Sequence, residues 1–166
     1  IWTMDGAGGG VRQVTTISGG AGDPIWSPDG NWLAFASDVY PDCREDACNK
    51  KRAEDAAQSK VKAHVAERLL YRHWKTWKDG QRTHVFVVSA EGGTARDLTP
   101  GDYDAPPFSL GGPTDYVFSP DSKELAFASN HDKVEATSTN ADIWVVAING
   151  GNGGAAGPAY NDGYYT

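Results

Sequence analysis

The sequence predicts a mainly β chain assembled from a repeated four-stranded antiparallel unit. Three observations carry that reading: a turn-rich composition, a duplicated turn-and-strand segment, and a second strand that recurs three times. Among 166 residues, 20 are glycine and nine are proline. That make-up suits short strands joined by tight turns better than a helical bundle. Ile25-Trp26-Ser27-Pro28-Asp29-Gly30 leads into Trp32-Leu33-Ala34-Phe35-Ala36-Ser37. Val117-Phe118-Ser119-Pro120-Asp121-Ser122 leads in the same way into Glu124-Leu125-Ala126-Phe127-Ala128-Ser129. The recurring strand is Ile1-Trp2-Thr3-Met4, then Val85-Phe86-Val87-Val88, then Ile143-Trp144-Val145-Val146, each followed by a Gly-rich turn.

Each element has its own chemistry. In Ser-Pro-Asp-Gly, Pro presets φ, Asp bonds locally and Gly relieves the exit from the turn. The flanking runs are short, aromatic and β-branched, as strands packed on both faces require. After the first two Gly-rich turns comes an Arg-containing strand ending in Thr, Arg12-Gln13-Val14-Thr15 and Arg96-Asp97-Leu98-Thr99. The order is strand, Ser-Pro-Asp turn, strand, connection, strand, Gly turn, strand, which is one blade of a β-propeller.

Trp26 and Phe118 are 92 residues apart, too far for one blade of roughly 40–50 residues. The period is recovered if about 39–83 is an insertion between the second and third strands of a blade. Within it, Ala57, Val61, Val65 and Leu69 fall at i+4 steps, with Ala66, Leu70 and Trp74 on the adjoining stripe. This spacing predicts a helix over Asp46–Trp77, with a break conceivable near Gln58-Ser59, capped by Asp46 and ended by Asp79-Gly80. Residues 1–150 thus read as a partial propeller with a helical insertion. One whole blade covers about 23–99 and most of another about 106–150. Residues 151–166 are a Gly-rich tail in which Pro158-Ala159-Tyr160 is a candidate start of a further unit. A closed propeller needs about four to eight blades. The expectation is an incomplete, open β-propeller of about two to three blades, belonging to a piece of a longer or already cut protein.

Charge excludes some functions. The net charge is −7 and the pI about 4.9, against a general nucleic-acid binder, which needs a basic face. No apolar run approaches the ~18 residues that suggest a membrane span. Between Arg44 and Lys78 there are ten Lys/Arg and five Asp/Glu, a basic segment in an acidic body. Its ordinary reading is a solvated helix face docked on that body; its sharper one is an arm that steers an anionic ligand.

Cys43 and Cys48 are the only cysteines. Two ligands do not make a structural zinc site, and His64 and His73, nine residues apart on the expected helix, face different ways. A local disulfide and an oxidising compartment are expected, with two buried thiols as the alternative. The nearest approach to a nucleophile elbow is Pro107-Phe108-Ser109-Leu110-Gly111, with Pro where the first Gly belongs. His64, His73, His84 and His131 name no triad partner, and His84 reads as a blade residue. The runs Gly6–Gly10 and Gly19–Gly22 lack the Lys-Ser/Thr of a phosphate loop. Asp102-Tyr103-Asp104 lacks the twelve-residue calcium loop and its closing Glu. No catalytic residue, metal or cofactor is expected within the chain.

Several segments resemble one family: Ser37-Asp38-Val39-Tyr40-Pro41-Asp42-Cys43, Cys48-Asn49-Lys50-Lys51, Leu70-Tyr71-Arg72-His73-Trp74, Trp77-Lys78-Asp79-Gly80, and Leu98-Thr99-Pro100-Gly101-Asp102-Tyr103-Asp104 with Pro106-Pro107-Phe108. Over roughly residues 1–150 they are similar to the prolyl oligopeptidase family of serine peptidases, in its bacterial dipeptidyl-peptidase and acylaminoacyl-peptidase branch. TolB-type propellers share the Ser-Pro-Asp-Gly repeat, and Ser122 departs from its Gly. The resemblance implies an N-terminal propeller that filters and helps bind peptides for a C-terminal α/β-hydrolase domain, absent here, in a secreted or periplasmic protein. The rival is a TolB-like protein-interaction module with no enzymatic partner. Two groups are candidates for substrate contact. Tyr71, Arg72, His73, Trp74 and Trp77 offer aromatic rings and a cation to a peptide's side chain and carbonyls. Asp102 and Asp104 offer carboxylates to its ammonium. Against these stand tryptophans that pack the helix onto the blade and an ordinary inter-blade loop. Open blade edges at Ile1–Met4 and Ile143–Ile148 are expected to promote self-association.

Overall fold

The computed structural model describes residues 1–107, 115–149 and the strand residues 157–158. Two short strands, β1 (Trp2–Thr3) and β2 (Arg12–Gln13), pair antiparallel. A four-stranded antiparallel sheet follows, in the order β3 (Gly22–Trp26), β4 (Trp32–Val39), β7 (Arg82–Ser89) and β8 (Arg96–Asp97). Between β4 and β7 lie helix α1 (Asp46–Gln58) and a small hairpin, β5 (Arg72–His73) with β6 (Thr76–Trp77). The second four-stranded sheet runs β9 (Tyr116–Phe118), β10 (Glu124–Ser129), β11 (Asp142–Ala147) and β12 (Gly157–Pro158). Both sheets are meanders with the same strand order, and the chain is mainly β with one α-helix. No helix among the described residues is long and apolar enough to cross a membrane.

Packing follows the alternation of side chains along each strand. Leu33, Phe35, Phe86 and Val88 of the first sheet form one buried cluster with Val14, flanked by Ile1. Ala34, Val85 and Val87, on the opposite face, join Leu98 and then Tyr116, Phe118, Leu125, Phe127 and Val146 of the second sheet. The first sheet is therefore covered on both sides, and the two sheets share one core.

The two Ser-Pro-Asp turns have matching hydrogen bonds. Ser27 Oγ donates to Asp29 Oδ1 at 2.6 Å and accepts the Trp32 N–H at 2.9 Å; Ser119 Oγ donates to Asp121 Oδ1 at 2.7 Å and accepts the Glu124 N–H at 3.0 Å. Bonds from Ser27 and then Asn31 hold the Asp29 carboxyl down at about 2. Gly30 takes φ +74° in the first turn, and Ser122 takes φ +60° at the same place in the second. Serine is tolerated there because its Oγ accepts the Asp29 N–H at 3.1 Å, fastening one turn to the other across the two sheets.

The insertion is helical only as far as the break near Gln58-Ser59 that the sequence allowed, and the expected continuation to Trp77 is not helix. α1 ends at Gln58, where Ser59 turns to ψ 136° and its Oγ accepts the Val61 N–H at 3.1 Å. The stripe beyond it has nothing to bury against: Val61, Val65 and Leu69 are all exposed, Val65 by 83%. Apolar spacing without a partner surface adds little to an isolated helix. Asp46 does not cap α1 either. Glu45 occupies the N-cap with no side-chain bond, while Asp46 Oδ1 accepts the N–H and Oγ–H of Ser18, tying the helix start to the loop after β2. Cys43 and Cys48 form a disulfide at the entry to α1. Asp79 and Gly80, at φ 47° and 81°, make the turn back into β7, the left-handed pair that such a tight turn demands.

Ser122→Ala is expected to lower the unfolding free energy by about 1–2 kcal/mol, since it keeps the positive φ and loses the bond to Asp29. Ser122→Gly loses the same bond but relaxes the backbone, so it should be the milder variant. Urea unfolding of the two side by side measures the order.

Candidate functional site

Arg82 is the first residue of β7 and is only 5% exposed. A buried guanidinium requires carboxylate partners, and two elements supply three of them. Its Nε donates to Asp102 Oδ1 at 3.0 Å; its Nη1 donates to Glu135 Oε1 at 2.7 Å and to Asp104 Oδ2 at 3.2 Å. Asp102 and Asp104 lie on the loop after β8, and Glu135 opens a one-turn 3-10 helix, Glu135–Thr137, between β10 and β11. The arginine thus joins the first sheet, its following loop and the second sheet.

Two further cations complete the cluster. Arg68 grips Asp102 with both nitrogens, Nη1 to Oδ2 at 2.9 Å and Nη2 to Oδ1 at 2.8 Å. Lys78 Nζ donates to Asp104 Oδ2. Asp104 Oδ1 accepts the Thr83 N–H at 2.9 Å, and the Asp104 carbonyl accepts Ser129 Oγ–H at 2.7 Å. Three cations face three carboxylates. Burial works to lower the Arg82 pKa, but bonds to Glu135 and Asp102 and the Asp104 charge hold it above the usual arginine value. The Arg68 bond holds Asp102 below the usual carboxylate range, and Asp102 in turn raises Arg68.

Beside this cluster is a cavity of about 580 Å³ whose lining includes Arg68, Leu69, Arg82, Tyr103, His131 and Val134. One wall is aromatic: the Tyr103 and His131 rings are 3.8 Å apart, and His131 stacks on Trp144 at 3.8 Å. Burial lowers the His131 pKa and raises that of Tyr103. Behind the loop, His84 hydrogen-bonds Asp97 Oδ2 through Nδ1 at 2.7 Å and the Gly101 carbonyl through Nε2 at 2.9 Å. Arg82 Nη2 has no hydrogen-bond partner among the described residues, so a residue lining the cavity retains donor capacity for a carbonyl or carboxylate.

The structure brings some of the sequence candidates together. Asp102 and Asp104 share the Arg82 cluster, but both carboxylates are already engaged by cations rather than open to an ammonium. Tyr71, Arg72 and Trp77 meet on the hairpin: Tyr71 stacks on Trp77 at 5.8 Å and the Arg72 guanidinium lies 5.3 Å over the Trp77 ring. His64 stacks on the same ring at 4.1 Å and shares a 2.6 Å hydrogen bond with Asp79. His73 meets Trp74 edge-on at 6.1 Å, and Trp74 is 76% exposed, so it packs no helix onto a sheet. Lys78 connects this hairpin to Asp104. Sequence reasoning missed Arg68, Arg82, Glu135, Tyr103 and His131. The available signal was Arg82 itself, a cation just ahead of the apolar run Val85–Val88. No group of three His, Cys, Asp or Glu among the described residues is placed to hold a metal ion. Ser109, the residues around it from 108 onward, and the tail apart from the strand residues 157–158 lie outside the described residues.

No family model matches the chain. Among curated proteins it is 30% identical to dipeptidyl-peptidase 5 of Porphyromonas endodontalis over 80% of this chain and 19% of that protein. It is also 30% identical to dipeptidyl-peptidase 5 of Porphyromonas gingivalis, over 91% of this chain and 28% of that protein. A Bacillus subtilis protein named as the uncharacterized peptidase YuxL is 26% identical over 88% of this chain and 20% of its own length. The chain is similar to peptidases. It spans about a fifth to just over a quarter of their length. The solved structure of a protein described as TolB from Agrobacterium tumefaciens aligns at TM-score 0.46 with 14% identity, over 96% of this chain and 40% of that one, too distant a likeness to decide the fold.

Replacing Arg82 with Met is expected to cost about 3–5 kcal/mol, because Asp104 and Glu135 lose a buried partner. Acid should act on the same cluster. A carboxyl whose folded pKa is lowered, as for Asp102, stabilises fully above its unfolded value of about 3.9 and loses that contribution as pH falls through the folded value. Unfolding titrations at neutral pH and at about pH 3 should therefore show a smaller acid loss in Arg82→Met than in the parent chain.

Proposed function

We propose that this chain is a non-catalytic β-propeller segment of an exported serine exopeptidase, and that it gates and helps bind peptides for an α/β-hydrolase domain elsewhere in the parent protein. The observation that supports this most is the 30% identity to two dipeptidyl-peptidase 5 proteins across 80% and 91% of the chain. The paired meanders are what two neighbouring blades would be, and the Cys43–Cys48 disulfide suits a secreted or periplasmic location. In this reading the peptide enters the cavity beside Arg82. The open Nη2 donor takes a peptide carbonyl or carboxylate, and Leu69, Val134 and the Tyr103–His131 wall take an apolar side chain. Asp102 and Asp104 orient Arg82 rather than hold the ammonium themselves. In the same reading the hairpin residues Tyr71, Arg72, His73, Trp74 and Trp77 add contacts to the peptide outside the cavity, their hairpin tethered to Asp104 through Lys78.

Titration with a short unblocked peptide, followed by amide and side-chain NMR shifts, tests this. Saturable shifts are expected around Leu69, Tyr103, His131 and Val134, with no release of product from dipeptidyl or acyl-amino-acid reporter substrates. Absence of shifts there at high peptide, or turnover that Ser109→Ala abolishes, would contradict the proposal.

A further inference from the structure

His84 lies inside β7 with its side chain buried, and both of its ring nitrogens face groups that only accept hydrogen bonds. Nδ1 is 2.7 Å from Asp97 Oδ2, and Nε2 is 2.9 Å from the Gly101 carbonyl oxygen. A carboxylate and a carbonyl have no hydrogen to give, so both contacts are bonds only when the ring carries a hydrogen on each nitrogen. The ring is then a cation, and Asp97 is its counter-ion. Asp97 is itself held in place: its Oδ1 accepts the Thr99 N–H at 2.9 Å, and Thr99 Oγ1 accepts the Val85 N–H at 2.9 Å. Among the described residues, the other ionisable group facing His84 is Tyr103, its ring 6.4 Å away. The register partner on β4 is Ser37, which is uncharged, and Arg82, two residues earlier on β7, is taken up by Asp102, Asp104 and Glu135.

The Gly101 bond reaches the cavity through one close contact. Gly101 lies directly against the Tyr103 ring, and a Cβ at this position would collide with it. Tyr103 is fixed at its far end by its hydroxyl, which donates to the Pro100 carbonyl at 3.1 Å. Its ring meets His131 at 3.8 Å, and the two form the aromatic wall. Asp102 and Asp104, which hold Arg82, flank Tyr103 in sequence. The position of Gly101 therefore sets the position of the wall, and His84 sets the position of Gly101.

We infer that His84 is a proton-controlled positioning residue for the loop 101–104. It holds Gly101, and hence the Tyr103 wall, while its ring carries both hydrogens, and it releases them when rising pH removes one. The hydrogen that remains stays on Nδ1, because a bond to a carboxylate is stronger than one to a neutral carbonyl. Nε2 then turns a lone pair on the Gly101 oxygen, two acceptors in contact, and the loop moves away. The proton goes to solvent and Asp97 keeps its charge. The sign follows: the wall is ordered on the acid side of this step and loosened on the alkaline side. Burial holds His131 below the ordinary histidine value and Tyr103 above the ordinary tyrosine value. Each of these has a step of its own, which residue-specific signals distinguish. The latch acts on the loop alone and does not depend on whether the cavity takes a peptide.

NMR of the parent chain without peptide, followed through a pH titration, tests this. The His84 ring should show hydrogens on both nitrogens at the acid end and lose the Nε2 one at a single midpoint. At that midpoint the Tyr103 ring and the amides of 101–104 should shift. Exchange of those amides, corrected for its intrinsic pH dependence, should rise about tenfold on the alkaline side, as one lost buried hydrogen bond implies. In His84→Gln the side-chain amide still donates to Gly101 but has no charge to lose. Its loop should keep the parent's slow exchange, and the shifts at that midpoint should vanish. Asp97→Asn removes the counter-ion and should move the midpoint to lower pH; it is the deciding variant if His84→Gln does not fold. A His84 ring with one hydrogen throughout, loop amides that ignore its midpoint, or a His84→Gln or Asp97→Asn chain that follows the parent's curve would each overturn the inference.

Discussion

The packing of β4 against β7, with apolar side chains on both faces, is the constraint on which the other elements depend. Leu33 and Phe35 point one way and Ala34 the other; Phe86 and Val88 oppose Val85 and Val87. A pair of strands that is apolar on both sides cannot face water on either. The β1–β2 pair closes one side and the second sheet closes the other. The small side chains at Ala34 and Ala36 let Leu125 and Phe127 approach closely, which sets the spacing of the sheets. The insertion adds no cover to this core. Its Val61, Val65 and Leu69 remain in water, and it is joined to the body by polar bonds.

Apart from the Asp46–Ser18 bonds at the helix start, those polar bonds converge on Arg82, where β7 begins. The arginine has carboxylates from the loop after β8 and from the second sheet's connection, while Arg68 and Lys78 of the insertion grip the same Asp102 and Asp104. Position relative to the core explains the role of each group. Arg82 is fixed because it leaves a buried strand, and the 101–104 loop is fixed because His84, inside that strand, holds the Gly101 carbonyl. The cavity beside Arg82 inherits this order, with an ionic floor and an aromatic wall of Tyr103 and His131, the latter stacked on Trp144 of β11.

The strands and turns were legible in the sequence because each is decided locally. Ser27-Pro28-Asp29-Gly30 forms its turn from its own hydroxyl and carboxylate, and the copy at Ser119 repeats it. The break near Gln58-Ser59 was legible, and α1 ends there; that no helix follows it was not, because Val61, Val65 and Leu69 have helical spacing but no surface to meet, and the absence of a partner is a tertiary fact. Asp102 and Asp104 were legible as a charged pair, yet the bonds of their cluster, Arg68 to Asp102, Arg82 to Asp102 and Arg82 to Glu135, join residues 20 to 53 positions apart. Only the fold makes them neighbours. Ser122 was legible as a departure from Gly, whereas its reason, the Asp29 N–H, lies 93 residues distant.

Amide hydrogen exchange across the chain tests most directly whether the doubly covered strand pair organises the rest. The account predicts that the amides of Leu33–Phe35 and Val85–Val88 exchange most slowly, near the rate set by global unfolding, with β10 and β11 faster because one of their faces is open. It also predicts fast exchange over 60–70 in the insertion. Protection centred on α1 or on the hairpin, or β4 and β7 exchanging ahead of β10 and β11, would contradict it.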